Sequence, residues 1–272
     1  MRLPNSIKVF VILFFWITMH CGSVKAQYSR YEFGIQGGVS NYWGDLSPSV
    51  VLKETHPTGG IFARINLSPS FAWKTELNVL KVSGSDKNFD FNRGRNLSFY
   101  SQINEVASVL EFNFFKYGPF VLNKPYTAYF YSGIAAFSFN PQTNLNGKTF
   151  DLIDYRTEDV SYSRIGVAIP FGMGLKWMVN KNLALEWQLG FRRTYTDYLD
   201  DVSGVYPDIE SRFSDGGLIT ATLTDRSIEW NGSPINKKGY KRGDSNYRDW
   251  YMTSTFSLTF RLNSKVKCAR FY

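Results

Sequence analysis

The chain has 272 residues, a formal charge of +8, 17% aromatic residues and two cysteines. Beyond the N-terminal segment no apolar stretch approaches the ~20 residues that a membrane-spanning helix needs, which excludes a helical membrane protein. With that segment set aside, Cys268 is the one remaining cysteine, which excludes an internal disulfide framework.

Arg2 and Lys8 precede an unbroken apolar run, residues 9–19 (VFVILFFWITM), and Val24-Lys25-Ala26 follows with small residues at its first and last places. The run is too short to cross a bilayer, and the pattern predicts a cleavable secretory signal over residues 1–26. Cleavage removes Arg2, Lys8 and Lys25 together with His20 and Cys21, and leaves His56 as the one histidine. A lipid-anchored Cys21 is a rival reading, but His20 stands where a bacterial lipidation motif needs a small residue. If an exported chain is to live in a membrane without an apolar helix, it must do so as a closed barrel, because only helices and barrels satisfy every backbone group in lipid.

Eight segments then alternate with period two, the signature of a strand with one apolar side. Residues 31–39 put Phe33, Ile35 and Val39 on one face, and residues 60–67 put Ile61, Ala63, Ile65 and Leu67 together. Residues 71–82 align Phe71, Trp73, Leu77 and Val79, and residues 103–115 align Val106, Leu110, Phe112 and Phe114. Residues 126–139 are apolar on both faces, so their register stays open. Residues 164–177 (RIGVAIPFGMGLKW) are the clearest case, with seven apolar residues from Ile165 to Trp177 on one side and a glycine-rich opposite face suited to a narrow lumen. Pro170 lacks a ladder donor and predicts a local bulge. Residues 183–195 align Leu183, Leu185, Trp187, Leu189 and Phe191, and residues 250–262 align Met252, Phe256, Leu258 and Phe260. Several of these segments exceed the ~5–6 residues of an average soluble strand and suit the ~9–11 of a membrane barrel strand.

The connections sort by parity. Residues 40–59, 83–102, 140–163 and 196–249 are long links, whereas 68–70, 116–125 and 178–182 are short. Long outer loops with short periplasmic turns are the habit of bacterial barrels. The expected fold is therefore all-β: an eight-stranded antiparallel transmembrane outer-membrane β-barrel, with a signal at 1–26, the barrel over 27–262 and a basic periplasmic tail over 263–272.

The polar faces carry Glu32, Glu76, Glu105, Glu111 and Glu186 against Arg64, Lys74, Arg164, Lys176, Arg192 and Arg261. A charge facing lipid at midplane costs ~2–4 kcal/mol, so these residues are expected inside. An eight-stranded barrel is wide enough only to be filled by side chains, which predicts a salt-bridged plug in place of an open channel.

Candidate chemistry is sparse. Residues 194–203 (TYTDYLDDVS) hold Asp197, Asp200 and Asp201, which could together offer oxygen ligands to calcium. The spacing is not that of an EF-hand and no glycine turn separates the acids, so turn-capping aspartates are the expected reading and no metal is assigned. His56, in the first outer loop with Ser47 and Ser49 nearby, lacks a base–orienter pattern, and no phosphate-binding glycine loop is present, so no enzyme and no cofactor are expected. The Gly37-Gly38 and Gly59-Gly60 pairs read as strand residues near barrel bends. Basic stretches occur at 236–242 (NKKGYKR), where lipopolysaccharide headgroups are plausible contacts, and at 265–270 (KVKCAR). Each is also readable as a solvated basic surface, and nucleic acid is not an expected partner of an exported barrel. Cys268 reads either as a partner-linked thiol or as an idle cysteine.

Phe33-Gly34-Ile35, Gly37-Gly38-Val39-Ser40 and Asn41-Tyr42-Trp43-Gly44-Asp45-Leu46 resemble the opening of the PorG-like outer-membrane barrels of Bacteroidetes. The run Thr196-Asp197-Tyr198-Leu199-Asp200-Asp201-Val202-Ser203, with Asp225-Arg226-Ser227 and Asp249-Trp250-Tyr251, extends the resemblance over nearly the whole exported chain. It implies an outer-membrane component of the type IX protein secretion system, which also supports gliding in some bacteria, associated with a periplasmic ring of a PorK-type lipoprotein and a PorN-type partner. On that reading Cys268, flanked by Lys265, Lys267 and Arg270, is the candidate partner contact. The alternative is a small adhesion or ligand-binding barrel acting through its outer loops.

Overall fold

The computed structural model describes residues 31–117 and 125–262. Among these residues nine strands form: β1 (Tyr31–Trp43), β2 (His56–Asn66), β3 (Phe71–Ser85), β4 (Ser98–Asn113), β5 (Tyr126–Leu145), β6 (Lys148–Asp151), β7 (Ile165–Met178), β8 (Leu183–Thr194) and β9 (Trp250–Arg261). Eight of them close an antiparallel barrel in the order β4-β3-β2-β1-β9-β8-β7-β5, sealed by β4 against β5. The chain is thus an eight-stranded barrel of the outer-membrane type. The remaining strand, β6, folds back on the end of β5 through Asn146 and Gly147, whose φ values of 52° and 78° are those of a type I′ hairpin turn.

Period-two alternation sets the two faces. Ile35, Trp73, Leu110, Ile134, Met173 and Phe256 stand outward with about half or more of their surface exposed. Their neighbours Gln36, Lys74, Glu111, Ala135, Gly174 and Thr255 point into the lumen. The open register of β5 resolves with Tyr129, Tyr131, Phe137 and Phe139 inward and Phe130, Ile134 and Ala136 outward. The glycine-rich face of β7 makes room for those tyrosines. A Cβ at Gly174 would lie 2.6 Å from the Tyr129 ring, and one at Gly190 of β8 would lie 2.1 Å from the Tyr131 hydroxyl.

Two expectations need correction. No bulge forms at Pro170: the β5–β7 register continues unchanged from Ser132↔Phe171 to Ala135↔Ala168, with the pairs between them missing, and β8 stays in step throughout. The proline's absent donor costs local ladder bonds, not a residue of register. Arg164, expected in the lumen, precedes β7, is half exposed, and pairs with Asp154 at 3.0 Å. The parity rule fails there because the strand has already ended.

Short turns join β2 to β3 and β7 to β8 at one end, where Ser68 N and Val179 N bond back to Phe71 O and Leu183 O. The long connections gather at the other end. There β3, β4 and β5 run well past their expected ends, and their polarity inverts. Inward residues become mainly apolar (Leu80, Val82, Phe99, Ile103, Phe137, Phe139), while Lys81, Gln102 and Asn140 stand outward as register neighbours. The link between β8 and β9 holds the helix Ile209–Thr224, broken at Gly217 (φ 70°), and the short helix Ile228–Asn231. The expected signal segment, and the tail with Lys265, Lys267, Cys268 and Arg270, lie outside the described residues.

Candidate functional site

Two layers close the barrel. The lower one is ionic and is built by the strands themselves. Arg64 of β2, wholly buried, reaches Glu32 at 2.8 Å, Glu111 at 2.9 Å and both oxygens of Glu186 at 2.6 Å. Its cross-strand neighbour is Lys74, so two cations stand side by side and need the carboxylates between them. Lys74 meets Glu76 at 2.5 Å and Glu111 at 3.3 Å, and donates to Gln188 Oε1. Lys176 meets Glu111 at 2.5 Å, Arg192 meets Glu105 at 3.2 Å, and Arg261 meets Glu32 at 2.7 Å. Buried hydroxyls complete the set: Tyr251 donates to Glu105 and Thr259 to Glu186. Five glutamates and five cations of the wall thus interlock, and the sequence-predicted Glu76, Glu111, Lys176, Glu186 and Arg192 all belong to this network. Such a network blocks passage, because a solute would have to break buried ion pairs that cost several kcal/mol each to separate.

The upper layer is a folded cap. Leu46, Leu97, Leu199, Val202 and Leu223 descend from the loops onto the apolar inner ends of β3–β5. Three arginines tie the loops down. Arg242 pairs with Glu158 at 3.0 Å and donates to Asp201 O. Arg95 pairs with Asp86 at 2.6 Å and donates to the carbonyls of Asp45 and Arg242. Arg226 donates to Ser98 Oγ, Thr143 Oγ1 and Asn144 O, pinning the long loop to β4 and β5.

The aspartates of residues 197–201 are parts of this cap. Tyr42 Oη lies 2.7 Å from Asp200 Oδ2 and 2.6 Å from Asp249 Oδ1. One hydroxyl hydrogen cannot serve two carboxylates, so one of the two acids must itself carry a proton. Burial pushes both carboxyls well above the usual range, and their mutual repulsion adds to it for Asp200. Asp201, at φ 67°, accepts from Thr157 at 2.5 Å and Tyr162 at 2.6 Å, and burial raises its pKa to about 6. Asp197 accepts from Ser203 Oγ at 2.6 Å and is raised by burial to about 7. The Tyr198 ring stacks on Tyr162 at 4.7 Å. Among the described residues no group of three or more acidic, histidine or cysteine side chains is arranged to hold a metal ion.

The remaining candidates are placed as follows. His56 is the first residue of β2 instead of a loop residue, and its partner is Ser83 Oγ at 2.7 Å, with neither Ser47 nor Ser49 involved. Ser83 in turn donates to Glu54, so the serine sits between histidine and acid, the reverse of a nucleophilic triad, where the histidine is central. Within the basic stretch 236–242, Arg242 is buried and Asn236 is held by Asp225, whereas Lys237 and Lys238 are exposed. Sequence reasoning missed Arg95, Asp86 and Glu158, which sit in irregular loops without periodicity. The signal for Tyr42, Arg226 and Asp249 was present, since all three lie in the motifs that carry the resemblance. Beside the cap a cavity of about 840 Å³ opens between Trp43, Pro48, Tyr247 and Trp250 and ends on Tyr206 and Arg242.

Several solved structures are similar to this chain at low identity. The attachment invasion locus protein Ail of Yersinia pestis is 9% identical, over 87% of this chain and 100% of that one, with a TM-score of 0.42. Neisserial surface protein A is 8% identical over 87% and 100% (TM-score 0.43), and OprG from Pseudomonas aeruginosa 8% over 86% and 98% (TM-score 0.40). No curated protein matches the sequence. Residues 7–218 match the profile of a family described as Domain of unknown function (DUF6089), and the chain belongs to that family.

Proposed function

We propose that the protein is a sealed outer-membrane anchor, without enzymatic activity or a cofactor, that serves the type IX secretion machinery by holding a periplasmic ring of PorK-type lipoprotein and PorN-type partner. The observation that carries this reading is the double closure of the lumen. A barrel filled by interlocked charges and roofed by a folded cap conducts nothing, so its use lies at its ends and its wall. The outward apolar belt suits lipid, and the short-turn end suits the periplasm. The resemblance of the cap motifs to PorG-like barrels supplies the specific partner. Lys265, Lys267, Cys268 and Arg270 are the proposed contact.

The test is affinity capture from gently solubilised membranes, with and without reductant. Co-capture of the ring lipoprotein and a reducible higher band that vanishes in Cys268→Ala support the role. Capture unchanged after removal of residues 263–272 sinks the docking contact. Normal export of secreted cargo in a strain lacking the protein sinks the secretion role.

A further inference from the structure

The cavity at the loop end has features that the anchor role does not use. Two of its lining residues, 1% and 2% exposed, hold a buried polar atom without a hydrogen-bond partner among the described residues: Tyr206 Oη and Arg242 Nε. A buried donor without a partner costs about 1–3 kcal/mol, so an occupant offering acceptors is favoured there. The lining carries Arg95, Lys241, Arg242 and Arg248 together with Asp45 and Asp244; Arg95 is paired with Asp86, Arg242 with Glu158 and Lys241 with Asp244, which leaves Arg248 as the lining cation without an ion pair among the described residues. Arg248 at the mouth is exposed, with one long bond to Tyr195 O at 3.4 Å.

The entrance has a different character. Trp43 and Trp250 are register neighbours with ring centroids 6.3 Å apart. Trp250 also meets Phe171 edge-on at 5.8 Å, and Phe171 stands on the outer wall, stacked on Phe191. The mouth therefore opens beside an aromatic girdle of the kind that sits at a membrane–water interface. A volume of about 840 Å³ accommodates a small ligand or a headgroup, and not acyl chains as well.

We propose that this cavity binds the phosphorylated sugar headgroup of an outer-leaflet glycolipid. The phosphate meets Tyr206 and Arg242 at the inner end, with Arg248 at the mouth, and the acyl chains lie along the apolar wall below Trp43 and Trp250. The inference rests on the outer-membrane setting proposed above and is independent of the secretion role.

The test uses the full chain reconstituted in phosphatidylcholine vesicles doped with lipid A, with dephosphorylated lipid A and phosphatidylglycerol as parallel arms. Bound lipid is read by native mass spectrometry after extraction. Tyr206→Phe is the informative variant, because it deletes a hydroxyl that has no bond among the described residues and so spares folding. Heat-modifiable migration on gels verifies the folded barrel in every sample and reports on the membrane setting separately. The expected result is preferential retention of phosphorylated lipid A, with Tyr206→Phe weakening it about tenfold and Arg248→Gln weakening it further. Equal retention by Tyr206→Phe, or equal retention of dephosphorylated lipid A, overturns the proposal. Displacement by inorganic phosphate alone, with no preference among vesicles, overturns the lipid assignment.

Discussion

Arg64 is the residue whose loss the barrel should tolerate least. Replacing it with Met keeps the approximate volume and removes the charge. The effect follows from what each carboxylate retains. Glu32 keeps Arg261 at 2.7 Å, and Glu111 keeps Lys176 at 2.5 Å and Lys74 at 3.3 Å. Among the described residues Glu186 keeps only the Thr259 hydroxyl at 2.7 Å. Arg64→Met thus strands one buried carboxylate, which costs about 3–5 kcal/mol. Adding Glu186→Gln removes that charge and should recover about 1–2 kcal/mol, a coupling of the size contacting residues show. The assay is urea unfolding of the refolded barrel in lipid vesicles, followed by tryptophan fluorescence and by heat-modifiable migration. A loss below about 1 kcal/mol for Arg64→Met, or a double variant no more stable than the single, would refute the view that the plug is a set of interdependent ion pairs.

Three other outcomes follow from the two closures. In planar bilayers the protein should show no large single-channel steps, and replacing the loop between Ser203 and Asn246 with a short linker should not produce them, because the ionic layer remains; stable steps in that variant would mean that the cap alone seals the lumen. Tyr42→Phe removes the hydroxyl shared by Asp200 and Asp249 and should destabilise the cap by about 1–3 kcal/mol, read as faster proteolytic nicking of the long loop with an unchanged barrel. The cap should also loosen as pH rises. Asp201 and Asp197 bind their protons more tightly folded than unfolded, so their contribution is complete below the usual value of 3.8 and is lost as pH rises through about 6 and about 7. Amide exchange in residues 195–205 should therefore quicken from about pH 5 to about pH 8 beyond the intrinsic rate change, and Asp197→Asn should remove the upper part of that transition.

The wall was legible because a strand in lipid must obey one rule at every residue. Trp73, Leu110 and Met173 could be assigned outward, and Lys74, Glu111 and Lys176 inward, from parity and the cost of a charge in hydrocarbon. The rule fails where its premise fails. In β5 the inner face bears Tyr129, Tyr131, Phe137 and Phe139, so both faces read as apolar. Arg164 keeps the parity of a lumen residue but lies past the end of the strand. The cap could not be read this way, since Arg95, Asp86 and Glu158 come together through loops whose residues follow no period. What did point to it was the position of the motifs. Asn41 to Leu46, Thr196 to Ser203 and Asp249 to Tyr251 are remote in sequence and meet at the loop end through Tyr42, Asp200 and Asp249, while Arg226 of the remaining motif, Asp225 to Ser227, ties the long loop to β4 and β5.

The inversion of polarity along β3, β4 and β5 explains why the two closures are separable. Where lipid surrounds the wall, the outer face must be apolar, and the inner face has to be polar if the strand is not to be apolar on both sides. Above Lys81, Gln102 and Asn140 water surrounds the same strands, and the requirement reverses: the outer face bears Tyr100, Gln142 and Asn144 while the inner face takes Val82, Phe99 and Leu145 as an ordinary core. The ionic layer thus lies at membrane height, and the cap with its aspartates and cavity lies beyond it. The layers hold by different forces, charge pairing below and apolar burial with buried arginines above. A change in one should therefore leave the other standing, so that a ligand at the loop end can alter the cap without opening the barrel.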